Sequence, residues 1–144
     1  MIHFNDELGQ RTLHRLQVED VIWLTTVSPR GVPQPRPVWF VWDGATLILY
    51  SSPQAKKIAH ISHNPNVALH FNTDAGGEDI QVILGQAQID VNAPPSNLNG
   101  AYHTKYHAGI LSLGMDEAKY SAIFSVAVRV TPTRLRGLEP IPEP

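Results

Sequence analysis

The sequence lacks cysteine entirely, which excludes disulfide bridges, thiolate-bound metals and a cysteine nucleophile together. It also lacks an excess of positive charge, since the formal net charge is −2, so neither a nucleic-acid partner nor an anionic membrane is expected. No apolar run approaches the roughly 20 residues of a membrane span, and the N-terminus has no signal-peptide pattern. We therefore expect a soluble protein in the cytoplasm, whose reducing environment fits the absence of cysteine.

Several catalytic signatures are also absent. The chain has no Gly-x-Ser-x-Gly elbow, no Gly-x-Gly-x-x-Gly loop and no Walker loop, so hydrolase, Rossmann and nucleotide-triphosphatase functions have no support. At 144 residues, the chain is most economically a single domain over residues 1–144. Within it, residues 5–18 are predicted to form an N-terminal helix capped by Asn5 or Asp6, and the proline-rich residues 137–144 a loosely ordered tail.

What the sequence does contain is a series of β-patterned segments. Asp43-Gly44 between two apolar runs is a strong hairpin signal. Together with two short helices over 98–107 and 116–122, the pattern predicts a mainly β fold, a small antiparallel barrel of six strands without internal repeats. The predicted strands are Val21–Val27, a proline-rich return strand leading into the hairpin segment Val38–Trp42, Thr46–Tyr50, Val67–Phe71, Ile80–Val91 and Ile123–Thr131.

Prolines and one glycine predict an incompletely paired edge, a bulge and a strand end in these segments. Pro33, Pro35 and Pro37 recur at period two, so their missing N–H donors all face one edge and only the other edge can pair fully. Such an edge suits an opening of the sheet, a ligand or a second subunit. In the fifth strand the apolar alternation changes phase at Gly85, which predicts a bulge or bend. Pro132 is expected to end the last strand.

The segment after the hairpin predicts a helix whose N-terminus attracts anions. Ser52 is a good N-cap residue and Pro53 suits the first helical position. Unpaired N–H groups at a helix start favour negative charge, and Ser51, Lys56, Lys57 and Arg36 converge on it, so the site would suit a phosphate. From charge alone, an ordinary solvated helix start with two surface lysines is the favoured interpretation, because isolated lysine pairs are common and no glycine-rich phosphate loop accompanies them.

Two histidines have a spacing that is compatible with metal binding. His103 and His107 lie four residues apart, a spacing that can chelate zinc, but the metalloprotease pattern requires Glu after the first His and Thr104 stands there. We therefore expect no metal site and interpret both as surface or hydrogen-bonded histidines.

Trp39 has the opposite strand parity to Phe40 and Trp42, so its side chain faces the other side of the strand. A helix, a cofactor ring or a second subunit must cover it.

Four pieces of the chain, in order, resemble the flavin-binding split-barrel superfamily that includes the pyridoxamine-phosphate oxidases. Within it, they resemble the small branch that is expected to use deazaflavin coenzyme F420 or FMN. The pieces span roughly residues 15–136, and it is their order and spacing that make them specific. They are Trp23-Leu-Thr-Thr-Val with Gly31-Val-Pro-Gln-Pro-Arg-Pro-Val-Trp-Phe-Val-Trp-Asp-Gly, Tyr50-Ser-Ser with Lys56-Lys57 and Asn64-Pro, Gln81-Val-Ile-Leu-Gly-Gln-Ala, and Val128-Arg-Val-Thr-Pro-Thr-Arg.

The resemblance implies a six-stranded split β-barrel that forms a homodimer, with two cofactors in clefts at the interface. It places Arg36, Pro37 and Val38 along the ring and ribityl chain. It brings Tyr50, Ser51, Lys56 and Lys57 to the phosphate, together with Ser52 at the predicted helix start, and it puts Gln81 in contact with the cofactor. The family's oxidases have Arg where Lys56 stands, a change that keeps the charge but loses the bidentate fork.

The function implied is that of an oxidoreductase passing hydride or electrons between the cofactor and a small organic substrate. The sequence identifies no catalytic acid or base. The oxidases also carry a Trp and an Arg near the C-terminus that serve cofactor and pyridoxamine substrate, whereas here Leu138 follows Gly137 and no Trp occurs after position 42. The alternative is a non-catalytic split barrel that carries or senses flavin or haem, with His103 or His107 available as an axial ligand.

Overall fold

The computed structural model describes residues 2–144 and contains one antiparallel sheet with flanking helices. Its strand order is β2-β1-β5-β6-β7-β4-β3, and the sheet curls into the split barrel that was predicted. The elements are α1 (Glu7–Val18), β1 (Ile22–Val27), β2 (Pro33–Val38), β3 (Val41–Trp42), β4 (Leu47–Ser51), α2 (Lys56–His63), β5 (Asn66–His70), β6 (Val82–Ile89), a 3-10 turn (Ser96–Leu98), α3 (Gly100–Ser112), α4 (Glu117–Ile123) and β7 (Val126–Arg136).

The predicted strand through Val38–Trp42 is wrong in one respect, because it breaks into β2 and β3 and the described sheet has seven strands instead of six. The break has a visible cause at Phe40. Its backbone N–H donates to the Tyr106 hydroxyl at 2.8 Å, and its carbonyl accepts from Lys105 Nζ at 2.9 Å. Side chains of α3 therefore satisfy the backbone that a strand ladder would otherwise pair.

The barrel interior is filled by buried apolar side chains from β1, β4, β5, β6 and β7, together with those of α1 and α2. A second apolar cluster lies outside the barrel wall, where α3 and α4 pack on β3, β4 and β7. Strand β4 is buried on both faces for this reason. The interior cluster is Leu16, Ile22, Leu24, Phe40, Leu47, Leu49, Ile61, Val67, Leu69, Phe71, Ile83, Ala87, Val128 and Val130. The outer cluster is Val41, Ile48, Tyr50, Tyr102, Tyr106, Ile110, Tyr120 and Ala127.

Strands β6 and β7 show one confirmed prediction and one correction. The ladder between them shifts register at Leu84/Gly85, as the change of phase at Gly85 predicted. However, Pro132 does not end the last strand, and β7 runs on to Arg136. Because Leu84 pairs with Arg134 while Gly85 pairs with Pro132, Thr133 is an extra residue, and a bulge is one of the places where a strand tolerates proline.

Helices α1 and α4 lie within two residues of their predicted bounds, whereas α3 runs on to Ser112, five residues past the predicted end at His107. Helix α1 is capped by Asp6, whose Oδ1 accepts from the Gly9 N–H at 2.7 Å, and α4 is capped in the same way by Asp116. The last residues, 137–144, have no regular secondary structure. Among the described residues, none of the helices has the length and hydropathy needed to span a bilayer.

Candidate functional site

A basic cavity lies where β1 and β2 meet the start of α2. Its volume is about 330 Å³. The two strands contribute alternate side chains from one face, while α2 contributes its first turn. The lining residues are Leu24, Thr26, Gln34, Arg36, Gln54, Ala55, Lys56 and Lys57.

Three cations face this cavity without an acidic partner. None of the ion pairs among residues 2–144 includes Arg36, Lys56 or Lys57. Burial lowers the pKa of the Lys57 ammonium from its ordinary value, and the nearby positive charge of Arg36 lowers it further. A bound anion would stabilise the Lys57 ammonium, because it offsets both the lost hydration and the repulsion from Arg36.

A second, aromatic cavity of about 240 Å³ adjoins the first and shares Ala55 and Lys57 with it. Its walls come from the end of β2, the end of β4 and the two C-terminal helices. The lining residues are Pro37, Val38, Trp39, Tyr50, Ser51, Ser52, Ala55, Lys57, Tyr102, Leu113, Tyr120 and Phe124. The two cavities form one groove around Lys57, charged at one end and aromatic at the other.

Stacked rings hold the aromatic wall in place. Trp39 lies parallel to Tyr106 at a centroid distance of 4.7 Å, and it also stacks on Tyr120 at 5.9 Å. A helix is thus one of the partners that the parity of Trp39 required. The hydroxyls of Tyr102 and Tyr120 are 2.8 Å apart, and burial raises the pKa of both phenols. Both therefore stay protonated at neutral pH and offer hydrogen bonds instead of charge.

The predicted helix start at Ser52 is wrong. Residues 53–54 form a turn closed by the Ala55 N–H donating to the Ser52 carbonyl at 3.2 Å, and α2 begins at Lys56 with Ala55 as its N-cap. The turn satisfies a backbone donor that a helix starting at Ser52 would have left free. The consequence is that Lys56 and Lys57 occupy the first two helical positions.

All the predicted binding residues except Gln81 line one of the two cavities. Gln81 lies in neither and is only 1% exposed. Its Oε1 accepts from Arg15 Nη1 at 2.7 Å and its Nε2 donates to Asp79 Oδ1 at 2.7 Å. The side chain therefore ties α1 to the start of β6, and a cofactor contact would require these bonds to open. Its predicted contact with a cofactor stays a prediction.

Sequence reasoning missed the helical side of the groove. Tyr102, Tyr120 and Phe124 line the aromatic cavity, although they follow the lysines by more than forty residues. The spacing of Tyr102 and Tyr106, four residues apart on α3, was the available signal, because it puts two rings on one helix face. Thr26, whose hydroxyl lies 2.8 Å from His60 Nδ1, was also missed.

Known proteins share this fold. Residues 9–138 match the pyridoxamine 5'-phosphate oxidase family. Over 127 residues the chain is 27% identical to a pyridoxine/pyridoxamine 5'-phosphate oxidase of Sodalis glossinidius (strain morsitans), a match that covers 81% of this chain and 58% of that protein. The chain therefore spans less than two thirds of that relative's length.

Three solved structures are similar. A Listeria innocua protein provisionally named as a pyridoxamine 5'-phosphate oxidase has a TM-score of 0.68 at 25% identity, covering 90% of this chain and 97% of its own. An F420 reductase has a TM-score of 0.65 at 23% identity, covering 85% and 94%. HutZ, a haem storage protein of Vibrio cholerae, has a TM-score of 0.63 at 15% identity, covering 92% and 95%. The last two likenesses concern the fold alone. Because the family match runs through most of the chain, this protein belongs to the pyridoxamine 5'-phosphate oxidase family.

Proposed function

We propose that this protein is an oxidoreductase that binds deazaflavin coenzyme F420 or FMN in the groove around Lys57 and exchanges hydride or electrons with a small organic substrate. The observation that carries the proposal is the pairing of two surfaces in one groove. Unpartnered cations line one end, and aromatic and apolar side chains line the other. Both cofactors have matching parts, a phosphate, a ribityl chain and a tricyclic ring.

The size of the groove fits a ligand of this kind. Ligand pockets usually measure about 300–1,000 Å³. The aromatic cavity alone, about 240 Å³, falls below that range, whereas the two adjoining cavities together fall within it. A ligand that occupies both would have to pass Lys57, the side chain common to them. This arrangement suits a long molecule with a single anionic end.

The chain's own residues would bind, orient and shield the cofactor. Arg36, Lys56 and Lys57 would hold the phosphate by charge-assisted hydrogen bonds. Pro37 and Val38 would lie along the ring and ribityl chain, with Ser51 and Ser52 offering hydroxyls beside them. When bound, the cofactor supplies the ring that accepts or donates the hydride. The apolar side chains and the protonated phenols of Tyr102 and Tyr120 would exclude water from that end.

The substrate differs from that of the Sodalis relative in our proposal. The family's oxidases carry a Trp and an Arg near the C-terminus that serve cofactor and pyridoxamine substrate, and this chain has no Trp after position 42. We therefore propose an unsaturated or oxidised small molecule as the electron acceptor.

We also propose a homodimer in which the second subunit closes the groove, in keeping with what the sequence resemblance implies. Light scattering in solution tests this oligomeric state.

The alternative is a carrier or sensor of flavin or haem with the same fold. The likeness to HutZ supports the fold of such a protein and no more. Haem requires an axial ligand, and no histidine is among the residues that line either described cavity. An oxidoreductase that uses a flavin-type cofactor is therefore the function that the groove supports better.

The deciding experiment titrates the cofactor-free protein with FMN and with F420 and follows fluorescence. Replacing both Lys56 and Lys57 with Ala is expected to weaken binding of the preferred cofactor by a few kcal/mol, or roughly a hundredfold, because charge-assisted bonds to phosphate are lost. Riboflavin, which lacks the phosphate, should bind both proteins alike. Lys119→Ala is the matched control, since this exposed lysine lies on α4 outside the groove.

Two results would overturn the proposal. If the double variant binds each cofactor as tightly as the unaltered protein does, the phosphate lies elsewhere. Failure of the reduced cofactor to be reoxidised by any of a panel of quinones, nitro compounds and enones, together with a Soret band on adding haem, would favour the carrier.

A further inference from the structure

A cluster of three potential metal ligands lies outside the groove, where α3 meets α4. His103 and His107 stand one helical turn apart on α3, with ring centroids 5.0 Å apart. Glu117, the first residue of α4, faces both of them. The cluster belongs to neither of the two cavities described above and is independent of the proposed function.

The distances within this cluster approach those of a metal site. Glu117 Oε1 lies 3.2 Å from His103 Nδ1 and 2.8 Å from His107 Nδ1, and the three ligand atoms all lie within 4.8 Å of one another. Zinc binds imidazole nitrogen and carboxylate oxygen at about 2.0–2.2 Å with tetrahedral geometry, which puts neighbouring ligand atoms about 3.4 Å apart. Small side-chain rotations therefore suffice to surround an ion.

The two helices are held so that the ligands stay together. The Tyr102 hydroxyl of α3 lies 2.8 Å from the Tyr120 hydroxyl of α4, and Asp116 caps α4 by accepting from the Lys119 N–H at 2.7 Å. Glu117 Oε2 is buried and has no hydrogen-bond partner among the described residues. A carboxylate oxygen left without a donor is costly, and a cation bound at Oε1, the oxygen that faces both histidines, would stabilise the negative charge of this carboxylate.

The imidazoles remain accessible. Side-chain exposure is 43% for His103 and 50% for His107, against 19% for Glu117. An ion can thus enter from solvent and keep a water as its fourth ligand, while the carboxylate anchors it from below.

We propose that His103, His107 and Glu117 form a binding site for a divalent transition-metal ion such as zinc. The sequence predicted no metal site, because the expected pattern places a carboxylate directly after the first histidine. Here the carboxylate comes from the next helix, ten residues after His107. An ion bound there would tie α3 to α4 and so brace Tyr102 and Tyr120, which line the aromatic cavity.

The test uses the full chain, purified without a histidine tag and freed of metal with a chelator. Calorimetric titration with Zn²⁺ is expected to give one ion per chain with a dissociation constant of roughly micromolar or tighter. Co²⁺ in its place should give the intense visible absorption of a tetrahedral site. Zn²⁺ should also raise the melting temperature, since a ligand that binds the folded state stabilises it.

Variants tie the binding to these residues. His107→Ala and Glu117→Gln should each weaken Zn²⁺ affinity at least tenfold, and Glu117→Gln keeps a hydrogen-bond acceptor for the histidines, so the helices stay in place. His14→Ala is the control, as an exposed histidine on α1. Affinity weaker than about millimolar, or equal affinity in the variants and the unaltered protein, would overturn the site and leave a hydrogen-bonded His–Glu cluster only.

Discussion

Trp39 and Tyr106 stack almost face to face, with 3° between their ring planes and 4.7 Å between their centroids. The stack fixes α3 against the break between β2 and β3, and through it one wall of the candidate groove. The same tyrosine reaches past the stack to the backbone of Phe40. Tyr106 therefore joins the fold of the sheet to the shape of the site.

The Tyr106→Phe variant is expected to lose about 1–3 kcal/mol of unfolding free energy, because the buried Phe40 N–H would be left without an acceptor. The Phe40 carbonyl keeps its bond from Lys105, whereas the Asp20 carbonyl, which accepts from the Tyr106 hydroxyl at 2.7 Å, loses that bond as well. Denaturant titration measures it. Thr104→Ala, on the exposed side of the same helix, should change little. A loss no larger than that of the control would show that the hydroxyl does not support Phe40.

The Gly85→Ala variant is expected to destabilise the barrel by about 1–3 kcal/mol, as overpacking of a close contact does. A Cβ at this position would lie 2.8 Å from the Thr131 carbonyl oxygen and 3.1 Å from a Val130 methyl group. Gly100→Ala is the matched control, since nothing lies within 4 Å of its added Cβ. Thermal melts measure the melting temperatures of both variants. Equal melting temperatures would mean that the bulge relaxes freely.

Cofactor affinity is expected to depend on pH through Lys57. Its pKa lies below the ordinary 10.5, first because of burial and then because of Arg36. The ammonium form binds phosphate, so affinity should be complete below this lowered pKa and fall as the pH rises through it. Binding in that range should take up protons, which calorimetry in two buffers of different ionisation enthalpy detects.

Lys57→Arg provides the control for this dependence, because a guanidinium stays charged throughout the range. The variant should keep its affinity to higher pH than the unaltered protein. The same alkaline fall in both proteins would assign the titration to another group or to the cofactor itself.

Acid sensitivity is expected from Asp90. The hydrogen bond from Arg129, 2.8 Å from its Nε, lowers the pKa of this carboxyl, and the Asn92 N–H adds to the effect. A depressed pKa contributes stability above the ordinary 3.8 that is lost as pH falls through the folded-state pKa. Asp90→Asn should therefore melt at a lower temperature than the unaltered protein at neutral pH, with the difference shrinking in acid.

Glu143→Gln, in the exposed tail, removes one negative charge without touching Arg129 and serves as the control for Asp90→Asn. It should leave the melting temperature unchanged at both pH values. A difference for Asp90→Asn that stays constant down to pH 3 would contradict the linkage.

Local signals predicted the parts of the fold that neighbours in sequence decide. The Asp43-Gly44 turn, the β-branched and apolar run of β1 and the register shift at Gly85 each depend on a few adjacent residues. The errors occur where distant contacts prevail. The Tyr106 hydroxyl interrupts the strand at Phe40, and the bulge at Thr133 lets β7 continue past Pro132. No sequence window around Phe40 contains Tyr106, and none around Pro132 contains Leu84 and Gly85, the β6 residues that pair across the bulge.

The residues of the candidate site likewise fall into those that the sequence predicted and those that it missed. Arg36, Lys56 and Lys57 were predicted because a hairpin and a helix start place them together and because the family resemblance favoured a phosphate site there. They do line one cavity. The aromatic wall was missed because Tyr102 and Tyr120 come from helices whose position depends on packing over β4. Gln81 came from the family resemblance alone, and its bonds to Arg15 and Asp79 depend on where α1 lies.

The prolines of β2 have a further consequence. Strand β2 lies at the end of the sheet and, within residues 2–144, pairs only with β1. Pro33, Pro35 and Pro37 stand at alternate positions of that ladder. The outward edge of this stretch therefore presents carbonyl oxygens without the amide hydrogens that an incoming strand needs. Growth of fibrils by strand addition is therefore disfavoured at this margin of the folded protein.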